Sequence, residues 1–334
     1  MPAAILDNPF RVLGAAAADD AHRLIALADE ASLLGEPGAQ AALDALMHSH
    51  SRLDAEIRWF PGAPAERVQS ILQRARGEEN GPLPALDDLP PLAQLNAIRL
   101  LLEAWPVFEA QSAAALCRAA ASADCRISMP LLMAQLNADR AAAGMQLLTD
   151  PAQLADRLNA LRSETAARLY ERIRALPPHI ADEAMVRAAQ SYTQLRSPLL
   201  ETLVSLHALK TRDEAAQLSQ CILELCATSK DPEESVRSKG LREAGEQLAR
   251  WDAITRPERV LLVAKGHTAD GLFALYKAVI DASVIAFNQY RMSQIAYDMT
   301  RQMHEVFFDL PLEHDLLKSN LAIIAARMKG VPPN

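Results

Sequence analysis

"LDNPFRVLG", residues 6–14, decides how this chain is read. Three bulky residues, Phe10, Val12 and Leu13, stand together in a sequence whose apolar supply is otherwise mostly alanine and leucine. Asn8-Pro9 fences them on one side and Gly14 closes them on the other, so the stretch reads as the first, short helix of a small helical module.

The partners for such a helix follow at once. From Asp19 to Leu34 the residues Leu24, Leu27, Ala28, Ala31 and Leu34 recur at three- and four-residue steps, the spacing of one helical face, with Asp19 and Asp20 suited to its N-terminus. Gly35-Glu36-Pro37-Gly38 breaks that pattern. A second run places Leu43, Leu46, Met47, His50, Leu53, Ile57 and Phe60 on one stripe and stops at Pro61-Gly62. Two helices joined by so short a turn are expected to lie antiparallel, with the Phe10-Val12-Leu13 segment packed on them. A third helix is predicted from Pro64 to Arg76, with proline in its first turn.

Composition extends the same reading to the whole chain. Half of the 334 residues are hydrophobic, aromatics are only 4%, and glycines number 12, which favours close-packed helices over a sandwich, a barrel or a glycine-rich nucleotide fold. The fold class expected is all-α, with a helical hairpin module ahead of a larger multi-helix bundle. Residues 77–91, "GEENGPLPALDDLPP", carry four prolines and four acids and are the candidate linker, which sets the domains at 1–76 and 92–334. Beyond it, proline-punctuated helices are predicted at 92–105, 107–122, 129–143, 151–176, 180–195, 199–210, 213–228, from 231 to about Trp251, at 257–265, 270–308 with one break, and 312–329. No fixed-period repeat is present.

The opening residues resemble the J-domain, the small helical module that docks on DnaK-type chaperones. That family has a Tyr-x-x-Leu-Gly opening helix, two antiparallel helices and a later Leu-Ser-Asp-Pro-x-x-Arg segment; Phe10, Leu13 and Gly14 fit the opening, and Ser51, Arg52, Leu53, Asp54 and Trp59 fit the later segment loosely. The resemblance covers roughly residues 7–62. J-domains that stimulate ATP hydrolysis carry His-Pro-Asp between the long helices; here Gly35-Glu36-Pro37-Gly38 keeps only the proline. The preceding helix, normally basic, holds Asp19, Asp20, Asp29 and Glu30 against Arg23. "LNADRAAAG", residues 136–144, is similar to a segment downstream of such modules in bacterial J-like proteins. The resemblance implies a docking module without its stimulatory tripeptide and a chaperone-like protein partner. Phe10, Glu36, Pro37, Trp59 and Phe60 are the partner-binding candidates it leaves.

Sites for chemistry are sparse. His48 and His50 are two apart on a predicted helix and do not converge, which leaves His50 as a core or rim imidazole. Cys117, Cys125, Cys221 and Cys226 lie in alanine- and leucine-rich segments without zinc-ligand spacing and read as reduced core thiols. Residues 304–315, "HEVFFDLPLEHD", lack the second histidine of His-Glu-x-x-His, Phe308 standing in its place. "AKGHTADG", 264–271, lacks the order of a phosphate-cradling loop. Asp281, Asp298, Arg301, Tyr290 and Tyr297 read as buried polar pairing within a bundle. No catalytic residue, cofactor or metal is expected.

A net charge of −8 with no basic block makes nucleic acid an unlikely partner. Arg237, Lys239, Arg242, Arg250, Arg256, Arg259 and Lys265 alternate with acids, as on a solvent-facing helix, and Arg242 and Arg250 are the weak nucleic-acid candidates. No apolar run approaches bilayer length and no charged-then-apolar leader is present, so the expected location is cytoplasmic, without membrane contact. Three functions are carried forward: an interaction adaptor, an active co-chaperone of a DnaK-type ATPase, and a helical enzyme or nucleic-acid-binding protein built on residues 92–330.

Overall fold

A computed structural model describes residues 5–76, 86–104, 110–267 and 272–329. Among them are fifteen α-helices, two 3-10 turns and no strand, so the chain is an all-α multi-helix protein. No helix among the described residues is long and apolar enough to cross a membrane.

The chain divides into two compact units, one of Met1–Ala184 with Gln194–Leu203, the other of Met185–Thr193 with Val204–Asn334. Residues on both sides of the 77–91 stretch fall in the first unit. Residues 77–85 lie outside the described residues, but Leu89 is buried in one cluster with Phe60, Val68, Ile71 and Leu72 before the segment and Ala93, Ala97 and Leu100 after it. Arg67 reaches across to Asp88 at 2.9 Å. Apolar side chains on both sides of the acidic, proline-rich stretch thus share one core.

In the first unit, α1 (Pro9–Leu13), α2 (Ala21–Leu33) and α3 (Ala39–Met47) pack on one another, and α4 (Ser49–Ile57) and α5 (Ala65–Ala75) follow. Next come α6 (Pro91–Ala104), α7 (Ala110–Cys125), α8 (Met129–Ala142) and α9 (Pro151–Arg174). Helix α6 is buried all round from Leu92 to Leu102. Its polar residues are tolerated there because they are bonded: the Asn96 amide donates to the carbonyls of Ile57, at 2.7 Å, and Trp59. Helix α9 lays one stripe inward, with Leu154, Leu158, Leu161, Thr165, Leu169 and Ile173 all buried, and Asp150 caps its first turn through Ala152 N–H at 2.9 Å. Asp124, at the end of α7, is fully buried and accepts from Arg162 (2.7 Å), Ser197 (2.8 Å) and the Leu199 N–H (3.0 Å). One carboxylate so joins α7, α9 and the start of α11 (Pro198–Ala227).

The stripe predicted through residues 43–60 is interrupted. His48 is extended (φ −96°, ψ 119°), α3 ends before it and α4 begins after it. The break leaves Met47 and His50 exposed and brings Arg52 and Glu56 inside beside Leu53, Ile57 and Phe60, which are buried as the stripe predicts. The His50 ring meets Gln153 and Arg157 at the surface rather than a core.

The residues of α10 (Pro178–Leu195) and α11 are divided between the two units, and the second is completed by α12 (Glu234–Ala264), α13 (Leu272–Asn288), α14 (Ser293–Val306) and α15 (Pro311–Met328). Two expected breaks are absent. Residues 199–210 and 213–228 form one helix, since Lys210-Thr211-Arg212 holds no glycine or proline and the Thr211 hydroxyl folds back on the His207 carbonyl at 2.9 Å. Helix α12 also runs through Pro257, which removes one backbone donor. Tertiary contacts hold it there: buried Arg259 donates to both oxygens of Asp309 (2.9 and 2.7 Å) and to Asp252 (3.2 Å), and lies 5.1 Å from the Trp251 ring. Trp251, Tyr276 and Phe307 meet ring to ring in that core.

Two measurements check this packing. Gly240 lies inside α12 with the Thr228 side chain directly where a Cβ would stand, so Gly240→Ala should lower the urea midpoint, whereas alanine for glycine in an open helix raises stability by about 1 kcal/mol. Burial pushes the Cys117 and Cys226 thiols up to about 12, while Cys125 is exposed. A thiol reagent at pH 8 should therefore modify Cys125 first and reach Cys117 and Cys226 only after denaturant is added.

Candidate functional site

The opening residues build a surface from short, heavily capped pieces. Asn8 accepts from the Phe10 N–H at 3.0 Å and donates to the Ala55 carbonyl at 2.9 Å, which starts α1 and pins it to α4 in one step. Gly14 takes the left-handed conformation (φ 64°), and Ala15 N–H returns to the Phe10 carbonyl at 2.8 Å, closing the helix. Asp20 then caps α2 through Arg23 N–H at 2.8 Å, and Asp19 holds the Ala16 N–H at 2.8 Å.

Beneath this surface lies a buried Arg-Glu-Arg triad. Glu56 receives Arg52 (2.9 Å) and Arg140 (2.8 Å), and all three side chains are essentially inaccessible. The remaining donors are taken by backbone: Arg52 donates to the Leu46 carbonyl (3.3 Å) and the Ala17 carbonyl (2.5 Å), Arg140 to those of Gln146 (3.1 Å) and Ser49 (3.2 Å). Burial raises the Glu56 carboxyl above its usual value despite both guanidiniums, the signature of a desolvation cost that the pairing does not fully offset. A second cluster sets Arg58 and Arg99 on Glu164; burial, together with the charges of Arg168 and Arg58, lowers fully buried Arg99 to about 9 against the pull of Glu164.

The partner-binding candidates separate cleanly. Phe10 is 0% exposed, stacked on Trp59 at 6.3 Å, and Phe60 is buried among Val68, Ile71 and Leu89. Neither can contact a partner, because a helix as short as α1 needs its largest side chain as the anchor to the core. Trp59 is half-buried and packs against the clusters on both sides of it. Glu36 and Pro37 are exposed in the turn between α2 and α3.

Beside that turn stand residues that sequence reading placed otherwise or passed over. Leu34, assigned above to the inner face of its helix, is 78% exposed, Leu33 is 88% exposed, and Ile25 on the same helix is half-exposed. Leu33, Leu34 and Gly35 are consecutive at a helix end; adjacent positions point about 100° apart, and that adjacency was the available signal.

A hollow of about 650 Å³ opens on another side of the same module. It is lined by the Ala15–Ala18 loop, Trp59, the Pro61–Pro64 turn, and Val68 and Leu72 of α5. Arg11 and Asp139 are its half-buried charged residues.

The basic run of α12 faces solvent only in part, with Lys239, Arg242, Arg250 and Lys265 exposed. Arg237 and Arg259 are buried, Arg237 donating to the Asp231 and Pro232 carbonyls (2.6 and 2.8 Å) and covering the Tyr290 ring. Of the two nucleic-acid candidates, Arg250 pairs with Glu214 at 2.5 Å and Arg242 is exposed. In the 304–315 segment, Asp309 is engaged by Arg259, while the side chains of Glu313 and His314 lie outside the described residues. Among the described residues no three His, Cys, Asp or Glu side chains gather as a metal site.

No protein-family model, curated protein or solved structure matches the chain.

The triad carries a net positive charge, which fixes an order of sensitivity. Glu56→Ala leaves two buried guanidiniums facing each other and should cost about 3–5 kcal/mol, whereas Arg140→Met leaves the neutral Arg52–Glu56 pair and should cost less. Phe10→Ala should cost about 3–5 kcal/mol by emptying its core position. Urea unfolding of the three variants checks the ranking.

Proposed function

We propose that the chain is a non-catalytic interaction adaptor or accessory subunit, whose J-domain-like opening module docks on a chaperone-like ATPase of the DnaK type. The observation that carries this reading is the apolar edge at the junction of α2 and α3. Leu33 and Leu34 are almost fully exposed beside Gly35–Gly38, the position at which stimulatory J-domains carry His-Pro-Asp. Exposed leucines adjacent in space suit a protein contact better than water. The packing of α1 on α2 and α3 supports the module reading, and four free cysteines suit a reducing, cytoplasmic setting.

The charge of α2 shapes the docking mode. Asp20, Asp29 and Glu30 are exposed with Arg23, so the basic attraction of an ordinary J-domain is replaced by apolar contact at the helix end. Without the tripeptide, binding carries no push on ATP hydrolysis.

The test uses the full chain and a purified DnaK-type ATPase. Binding should occur without faster ATP turnover, and the double variant Leu33→Ser, Leu34→Ser should weaken it at least tenfold with an unchanged melting temperature. Acceleration of hydrolysis would establish the co-chaperone alternative instead. Absence of binding to DnaK-type ATPases at micromolar concentration defeats the partner assignment.

A further inference from the structure

The hollow lined by the Ala15–Ala18 loop and α5 is also lined by Arg11 and the exposed Arg76, and one buried N–H of Arg11 lacks an acceptor among the described residues. The Arg11 Nε is shielded from water and has no hydrogen-bond partner among the described residues. A buried N–H in that state forfeits hydration without receiving an acceptor in return. Its position is not an accident of a long surface side chain: Arg11 belongs to α1, whose two ends are fixed by Asn8 and Gly14.

The surroundings define what would complete it. The alanine loop supplies only methyl groups, which keep the hollow open, and the Ala17 carbonyl is tied down by Arg52, so the loop is held in place. Half-buried Trp59 contributes an aromatic ring to the lining, beside the largely buried Val68 and Leu72. Asp139, the carboxylate at the rim, is engaged with Gln135 at 3.4 Å. A second, smaller hollow of about 210 Å³, lined by Pro90, Pro91, Ile127 and the exposed Leu131, shares Pro61 and Gly62 with the first. Two hollows either side of one turn suit a chain with two anchoring side chains better than a single compact molecule.

We infer that this groove is a docking site for an extended segment of a partner protein that places an aspartate or glutamate on Arg11 and a large apolar side chain against Trp59. A carboxylate satisfies the guanidinium with charge-assisted hydrogen bonds, and the Trp59 ring supplies the anchoring contact. The site is separate from the apolar edge at Leu33 and Leu34, and the assignment stands whether or not that edge binds a chaperone.

The experiment selects ten-residue random peptides on the immobilised full chain, then measures the enriched peptides by fluorescence polarisation. Enriched sequences should pair an acidic residue with an aromatic or leucine one to three positions away. Arg11→Met should weaken them at least tenfold, Arg11→Glu should reverse the charge preference toward basic peptides, and Ala18→Trp, at an exposed position of the loop, should block binding without shifting the melting temperature. The same peptides should bind the Leu33→Ser, Leu34→Ser variant unchanged. Peptides indifferent to Arg11→Glu, no enrichment at all, or a small aryl carboxylate such as benzoate binding as tightly as the peptides would overturn the assignment. So would an Arg11-dependent dimer seen by sedimentation, which would make a second copy the occupant.

Discussion

The carboxylate of Glu56 is the point on which the first unit turns. It stands in α4, receives one guanidinium from its own helix and one from Arg140 of α8, and through them fixes the backbone of the Ala15–Ala18 loop, the end of α3 and the loop after α8. Three charged side chains in the interior are an expensive way to connect helices, because each must be stripped of water before pairing begins to compensate. The arrangement therefore does little for net stability compared with leucines of the same volume. What it supplies is position: a guanidinium fork satisfied at every nitrogen tolerates only one relative placement of the groups around it.

That placement explains why the opening helices present a defined surface despite their small size. Helix α1 is five residues long, α3 and α4 nine each, lengths at which isolated helices are not stable in water. Their persistence comes from Phe10 in the core, from Asn8 bonded to both α1 and α4, and from Asn96 of α6 holding the last carbonyls around Trp59. The groove wall and the exposed leucines are consequences of how these pieces are capped and stopped.

Much of this was legible in residue spacing. The stop at Gly14, the turn at Gly35–Gly38, the long stripe of α9 and the caps at Asp20 and Asp150 all follow from local rules and are found where those rules place them. What escaped was decided by distant contacts. The kink at His48 has no proline or glycine to announce it, and it seats Arg52 and Glu56 in the interior beside the predicted Leu53 and Ile57 while leaving Met47 and His50 outside. Arg259, read as a surface charge because acids alternate with it, is buried because Asp309 arrives from fifty residues away. Helix α12 passes through Pro257 for a related reason. The partner candidates suffered in the same way: bulky aromatics signal importance, and at Phe10 and Phe60 the importance is to the core. That the buried Arg11 Nε lacks an acceptor among the described residues could not be read from sequence at all, since it depends on what fails to come near it.

The way α6 is enclosed has an evolutionary corollary. Its residues from Leu92 to Leu102 have no free side, and its Asn96 and Arg99 are bonded to groups contributed from both earlier and later in the chain. A segment bound in this manner is not a portable cassette. Recombination that moved the first seventy-odd residues onto another protein would carry away the acceptors of Asn96 and Arg140 and strand Glu56 without half of its charge balance. Diversification of this chain is thereby channelled away from exchange of whole modules and toward point changes on the small exposed surfaces that the buried charges do not reach.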